Sequence, residues 1–252
     1  MMNNINEFSG KKVLITGAAE GIGKETAIHL SRMGAFLILI DVNNEKLSEL
    51  NSELLHNNHI LINFDIGKID EIEGKIKQII SLTGPVDGYI HCVGIRSRRP
   101  ISMLYPKIIN DVMRINFSSF IEITRCITKK YNYNDGLSIV GISSISSVRG
   151  GASVTAYAAS KAAMDGAVRC LAKELASKKI RINTVVPGQI NTPAYSTLVE
   201  FYQDSKDPTL SRQYLGLGES KDVANVIVFL LSTNSSFISG SSIPVDGGFL
   251  SS

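Results

Sequence analysis

Cysteine is scarce in this chain, and its charges nearly cancel. Of 252 residues only three are cysteine, Cys92, Cys126 and Cys170, widely spaced and odd in number. Such a set builds neither a disulfide framework nor a zinc site, and reduced thiols in a cytoplasm are expected. His29, His56, His59 and His91 show no ligand spacing, so no metal is expected. Charged residues are 19% of the chain and the net charge is only +3, which makes no electrostatic case for nucleic acid. No apolar run approaches the ~20 residues that a membrane span needs. The polar start, Met1 to Lys12, lacks the apolar core of a signal peptide. Repeats and low-complexity segments are absent too.

What is present is a hydrophobic content of 44%, typical of a globular chain. The length suits one well-buried domain spanning residues 1–252. Lys12 to Thr16 reads as a short strand, Gly17-Ala-Ala-Glu-Gly21-Ile-Gly23 as a turn, and Ile22 to about Met33 as an amphipathic helix. Strand, glycine turn and helix in that order form the context of a dinucleotide site. Glycines let the backbone approach a pyrophosphate, and the helix N-terminus offers free N–H groups and partial positive charge. A second strand, Phe36 to Ile40, ends in Asp41, 24 positions after Gly17. An acid there accepts hydrogen bonds from ribose hydroxyls and repels a 2′-phosphate. Ile60 to Phe64, Asp87 to Cys92 and Arg181 to Val186 read as further strands. A turn at Asp135-Gly136 leads into another strand at Leu137 to Ile142.

Thr155 to Leu175 is Ala-rich, free of Pro and helical in its apolar spacing. On that helix Tyr157 and Lys161 share one face, a turn apart. A neighbouring ammonium favours a phenolate, at about 1.4 kcal/mol per pKa unit, and brings a phenol toward proton transfer at neutral pH. Taken alone, the pair reads more simply as part of an amphipathic helix. Ser144, however, follows the Leu137–Ile142 strand and precedes Tyr157 by 13 positions, at the end of a strand where open α/β sheets place ligand chemistry.

With Ser144, Tyr157 and Lys161 in these positions, the sequence resembles the short-chain dehydrogenase/reductase family over about Gly10 to Leu250. Thr16-Gly17-x-x-x-Gly21-Ile22-Gly23 resembles the family's glycine motif. Asn116, 28 positions before Ser144 on a helical pattern from Lys107 to about Lys130, matches its helix-borne Asn. The resemblance implies a doubly wound α/β fold, a parallel sheet of seven strands with helices on both faces. It implies a catalytic set of Asn116, Ser144, Tyr157 and Lys161. In that set Tyr157 exchanges the substrate proton, and Lys161 assists it and binds the nicotinamide ribose. Ser144 bonds the reacting oxygen, and Asn116 holds a water linking Lys161 to solvent. Ser143, Ser146 and Ser147 are expected to be structural.

For the cofactor, the resemblance adds Asp65 and Ile66 beside the adenine and Gly94 near the nicotinamide ribose. It also adds Pro187, Gly188, Ile190 and Thr192 around the carboxamide. Relatives that prefer NADP carry a basic residue at the position of Glu20 or Val42, so NAD is expected rather than NADP. The family's usual Asn-Asn-Ala-Gly is here His91-Cys92-Val93-Gly94, which removes sheet-stabilising hydrogen bonds of the Asn side chains. Arg96, Arg98 and Arg99 follow on a basic loop; Arg96 is a candidate for a substrate anion, and Tyr195 is a further substrate contact. Residues 194–216, with Tyr195, Phe201, Tyr202 and Tyr214, are expected to form a substrate lid. Asp222-Val-Ala ahead of a helix and Gly240 through Gly248 on the last strand complete the pattern. A homodimer or homotetramer is implied. The function expected is hydride transfer between NAD and a secondary alcohol or ketone such as a sugar, polyol or hydroxy acid. One alternative is an NADPH-dependent 3-oxoacyl-thioester reductase, with Lys129, Lys130, Arg169 and Lys173 as a carrier-docking surface. The other is a non-catalytic dinucleotide sensor.

Overall fold

Short apolar runs bounded by Gly, Asp and Asn become strands, and the amphipathic stretches between them become helices. The computed structural model describes residues 7–56, 58–196 and 210–252. The first half of the chain gives β1 (Lys12–Thr16), α1 (Gly21–Arg32), β2 (Phe36–Asp41), α2 (Asn44–Glu53), β3 (Ile60–Asn63), α3 (Ile69–Thr83) and β4 (Val86–His91). Then come α4 (Pro106–Met113), α5 (Ser119–Ile127), β5 (Tyr133–Ile142), α6 (Thr155–Leu175) and β6 (Arg181–Pro187). β7 (Ile190–Asn191), β8 (Gly218–Glu219), α7 (Ser220–Leu231) and β9 (Ser242–Val245) follow.

Seven strands form one parallel sheet in the order β3-β2-β1-β4-β5-β6-β9, and β7 and β8 pair as a separate ribbon. Side chains alternate along each strand, so Val13 and Ile15 join one core and Leu14 the other. Helices α1, α2 and α7 close the first face through Ala27, Leu30, Leu47, Leu50, Ile227 and Leu230. Helices α3, α5 and α6 close the second through Ile72, Ile76, Phe120, Ile123, Met164 and Val168. Each fully buried Leu, Ile or Phe contributes roughly 1.5–3 kcal/mol, so these two layers hold the sheet. This is the doubly wound α/β fold.

The strand order reverses beside β1. Thr16, its last residue, lies opposite Ile40 of β2 on one side and His91 of β4 on the other. The connections leave the two neighbours in opposite directions, and a crevice opens at the carboxyl ends of the strands. Among the described residues no helix is long and apolar enough to cross a membrane.

Three elements depart from the sequence expectation. The helical stretch expected from Lys107 to Lys130 is two α-helices joined by a π-turn, Arg114–Ser118, which carries Asn116. Asp135-Gly136 does not precede β5 but lies inside it. Gly136 takes φ +84°, and the register with β4 shifts there, as in a bulge. Asp222 sits within the first turn of α7, where it accepts from the Glu219 N–H at 2.8 Å in a capping box. Of the expected lid, residues 197–209, including Phe201 and Tyr202, lie outside the described residues.

Candidate active site

The crevice is a cavity of about 640 Å3, within the size range of ligand sites. Its floor is the β1–α1 turn. Gly17 has φ +68°, and its N–H donates to the Ile40 carbonyl at 2.9 Å. A Cβ at Gly23 would fall 1.9 Å from the Gly17 carbonyl oxygen, so α1 starts directly against the turn. The α1 N-cap, Glu20, makes no side-chain cap bond, which leaves N–H groups of the first turn for an anion. Gly17, Glu20, Gly21, Ile22 and Gly23 all line the cavity.

Asp41 closes the end of β2. One carboxylate oxygen accepts from the Ala19 N–H at 3.1 Å and the other from the Asn43 N–H at 3.0 Å. Glu20 pairs with Lys46, raising the lysine pKa. Asp65 accepts from the Gly67 N–H at 2.8 Å, so it caps the turn after β3 as well as lining the cavity with Ile66.

The other end is built from side chains on α6, β5 and the loop after β4. Lys161 is 3% exposed, and its ammonium donates to the Ile142 carbonyl at 2.7 Å. Burial lowers its pKa; the neighbouring Tyr157, Cys92 and Asp165 oppose that shift. Its nitrogen lies 5.8 Å from the Tyr157 ring centroid, and the Arg96 guanidinium carbon lies 5.1 Å from the same centroid. Ser144 lines the cavity, and its hydroxyl oxygen accepts from the Ser146 N–H at 3.1 Å. Ser143 donates to Asp165 at 2.8 Å, and Ser147 donates to the Ser144 carbonyl at 2.8 Å. Gly94 lies where a Cβ would come within 3.1 Å of the Lys161 nitrogen and 3.7 Å of Asn116 Oδ1.

Asn116 is fully buried and is absent from the cavity lining. Its Oδ1 accepts from the Ile95 N–H at 2.8 Å, while its Nδ2 donates to the Ile95 carbonyl at 3.0 Å and to Ser160 Oγ at 2.9 Å. The side chain therefore clamps the loop bearing Gly94 and Arg96 to α6. The π-turn aims it there; π-turns recur at functional sites.

The residues in place of the usual asparagines make their own ties. His91 Nδ1 lies 2.8 Å from the Tyr89 hydroxyl and 3.1 Å from Thr16 Oγ1, joining β4 to β1. Its Nε2 meets no hydrogen-bond partner among the described residues. Burial brings its pKa down to about 3 and pushes Cys92 up to about 12, so the two remain a neutral imidazole and a thiol.

Pro187, Gly188, Ile190, Thr192 and Tyr195 form the remaining wall. Gln213 holds this wall: its Oε1 accepts from the Gln189 N–H at 2.9 Å, and its Nε2 donates to the Gln189 carbonyl at 2.9 Å. Sequence reading missed Gln213 and also Asp165, a buried acid one turn beyond Lys161 that accepts from Thr184 Oγ1 at 2.7 Å. The i+4 spacing from Lys161 was a usable signal for Asp165; nothing local marks Gln213. Of the three arginines, Arg96 alone lines the cavity. Every other expected cofactor residue, Gly94 included, also lines it. The cradle thus fits a dinucleotide: bare backbone and an open helix end for phosphates, and a strand-end acid for ribose hydroxyls.

A family model described as enoyl-(acyl carrier protein) reductase matches residues 17–250. The chain is 33% identical to 3-oxoacyl-(acyl-carrier-protein) reductase FabG of Thermotoga maritima over 96% of this chain and 99% of that protein. It is 31% identical to 5-keto-D-gluconate 5-reductase of Escherichia coli over 99% of each. A crystal structure of a glucose/ribitol-type short-chain dehydrogenase/reductase from Brucella melitensis superposes with a TM-score of 0.89. The two are 30% identical, with 96% of this chain and 98% of that chain covered. These relatives are oxidoreductases, and similarity of this extent places the protein among nucleotide-binding enzymes acting on CH–OH groups. The chain belongs to the short-chain dehydrogenase/reductase family.

Proposed function

We propose that the protein is a single dinucleotide-binding domain that moves hydride between NAD(H) and a secondary alcohol or ketone. The observation that carries this reading is the meeting of three parts in one cavity. These are the Tyr157–Lys161 face of α6, Ser144 at the end of β5, and the open glycine turn of β1. A bound nicotinamide supplies the hydride acceptor or donor. Tyr157 takes the hydroxyl proton in oxidation and returns it in reduction. Ser144 hydrogen-bonds the reacting oxygen and stabilises the charge developing there. Lys161 places positive charge beside the phenol and binds the nicotinamide ribose. Asn116 acts through position: its amide is engaged with Ile95 and Ser160, and it keeps Gly94 against Lys161. Gly17 to Gly23 cradle the pyrophosphate, Asp41 holds the ribose, and Asp65 with Ile66 flanks the adenine. Pro187, Gly188, Ile190 and Thr192 hold the carboxamide, and Tyr195 borders the substrate. Asp41 and Glu20 at the ribose end favour NAD over NADP.

Tyr157→Phe is expected to lose at least about a thousandfold in turnover while still binding NADH. Turnover within tenfold of wild type would refute the assignment, and NADH absorbance with a panel of alcohols and ketones reads it. Thermal shifts with NADH and NADPH test the cofactor preference. A second reading, reduction of a 3-oxoacyl thioester with NADPH, is favoured by the Thermotoga maritima relative. Against it, Lys129 of the suggested carrier surface is already paired with Glu73. The three free cysteines suit a reducing cytoplasm. Exposed Ile101, Met103, Tyr105 and Ile109 around the start of α4 offer an apolar face for a second copy in a homodimer or homotetramer. Light scattering reads that state.

A further inference from the structure

The charges that line the cavity are sorted by sign. Its carboxylates, Glu20, Asp41 and Asp65, all sit at the end formed by β1, β2 and β3. Its cations, Arg96 and Lys161, sit at the end formed by β4, β5 and α6. No carboxylate lines the wall around Tyr157 among the described residues. Lys161 is buried and bonded to the Ile142 carbonyl, which leaves it poorly placed for a substrate group beyond the reacting carbon. Arg96 is exposed to the cavity, and no described carboxylate pairs with it.

The position of Arg96 is also fixed. Its guanidinium lies over the Tyr157 ring, 5.1 Å from the centroid, an arrangement that orients the planar fork. The loop is pinned on both sides of it. Asn116 accepts from the Ile95 N–H and donates to the Ile95 carbonyl, and the Arg99 N–H donates to the Ser153 carbonyl at 2.7 Å. A guanidinium held beside the catalytic phenol presents two parallel N–H donors, the geometry that matches a carboxylate or phosphate. Holding it there before the ligand arrives removes part of the ordering cost of binding. A neutral polyol would gain little from such a donor pair.

We infer that the substrate carries an oxyanion, a carboxylate or a phosphate, close to the carbon that exchanges hydride, and that Arg96 binds it. The inference rests on the hydride-transfer reading above and narrows its substrate class to hydroxy and oxo acids or their phosphorylated counterparts. Arg96 is thus a specificity residue, and its contact with the Tyr157 ring aligns the anion with the reacting oxygen.

Two matched pairs of substrates test this: 3-hydroxybutyrate against 3-hydroxybutyramide, and glycerol 3-phosphate against glycerol. kcat/KM is measured for each in wild type, Arg96→Ala and Arg96→Lys. In Arg96→Ala the charged-to-neutral ratio is expected to fall about thirtyfold or more for whichever pair carries the right anion, with partial retention in Arg96→Lys. The pair that responds distinguishes carboxylate from phosphate. Equal losses for both members of each pair would overturn the inference and leave Arg96 as a residue that only supports Tyr157. Calorimetric titration of malonate and inorganic phosphate into NADH-saturated protein gives a readout that needs no turnover. Binding to wild type that weakens at least tenfold in Arg96→Ala supports the inference. Absence of any binding, together with unresponsive pairs, defeats it. Failure to bind NADH in the same calorimeter would instead defeat the proposed hydride transfer.

Discussion

The two ends of the cleft are built by different means. At the β1–β2–β3 end the ligand-facing groups are backbone or short acids, held mostly by backbone N–H groups of the turns that follow the strands, including the Ala19 N–H from which Asp41 accepts across the β1–β2 pair. Asp41 bonds Asn43, Asp65 bonds Gly67, and Gly23 packs on Gly17. At the β4–β5 end the groups are longer side chains fixed by distant partners. Asn116 reaches Ser160, Lys161 reaches Ile142, and Gln213 reaches Gln189. The first end is built from the turns after β1, β2 and β3 once those strands pair, and the second from side chains that α6, β5 and the loop after β4 bring together. Burial separates them too. Lys46 and Glu20 pair in solvent, whereas Lys161 and His91 are buried and have their pKa values lowered by desolvation.

Damaging the first end without touching the second separates their roles most directly. In Gly23→Ala the new methyl collides with backbone, the Gly17 carbonyl, which no rotamer change relieves. Affinity for NADH is expected to fall about a hundredfold or more, read by fluorescence titration. An affinity within threefold of wild type would mean that the turn is not the phosphate cradle.

The second end offers a pH test. His91 is neutral when folded, with a pKa near 3, against about 6.5 when unfolded. Below pH 6.5 the unfolded chain takes up the proton first, so stability is lost as pH falls from 6.5 toward 3. Between pH 7 and pH 5 this one group removes about 2 kcal/mol. Urea unfolding at both values should show a drop that is smaller by that amount in His91→Asn. His59, also lowered by burial, contributes the same sign in both proteins and cancels from the difference. An identical drop in the two proteins would show that His91 is not the desolvated group.

This division explains what was legible in the sequence. The glycine turn and the Tyr157–Lys161 pair are set by spacing along one turn or one helix, and Asp41 by its place at the end of the second strand; the structure puts all of them on the cavity. The π-turn at Asn116 was not legible, because a single inserted residue hardly alters apolar spacing over so long a helical stretch. Asp-Gly signals a reversal regardless of what pairs on either side, so the sequence places a turn before the strand where the structure has a bulge at Gly136. Gln213 and Asp165 escaped because their partners, Gln189 and Thr184, are neighbours only in the folded chain. The loss of the usual asparagines before Gly94 suggested a weakened sheet. The Tyr89 hydroxyl and Thr16 reach His91 instead, an arrangement no single position announces.

The smallest effect is expected at Glu20, also at the first end. Glu20 holds the Lys46 ammonium beside a cavity that Asp41 also faces. A 2′-phosphate arriving there meets the Asp41 carboxylate and finds the nearby cation already paired. Glu20→Gln keeps the side-chain shape, removes one negative charge and frees the lysine. The ratio of NADPH to NADH affinity should then rise, but only about three- to fivefold, because an exposed ion pair is screened by solvent and salt. Asp41→Asn should move the ratio further, since that carboxylate is fixed by two backbone N–H groups at the strand end. If Glu20→Gln moves the ratio as far as Asp41→Asn, coenzyme choice lies in the exposed pair and not at the end of β2.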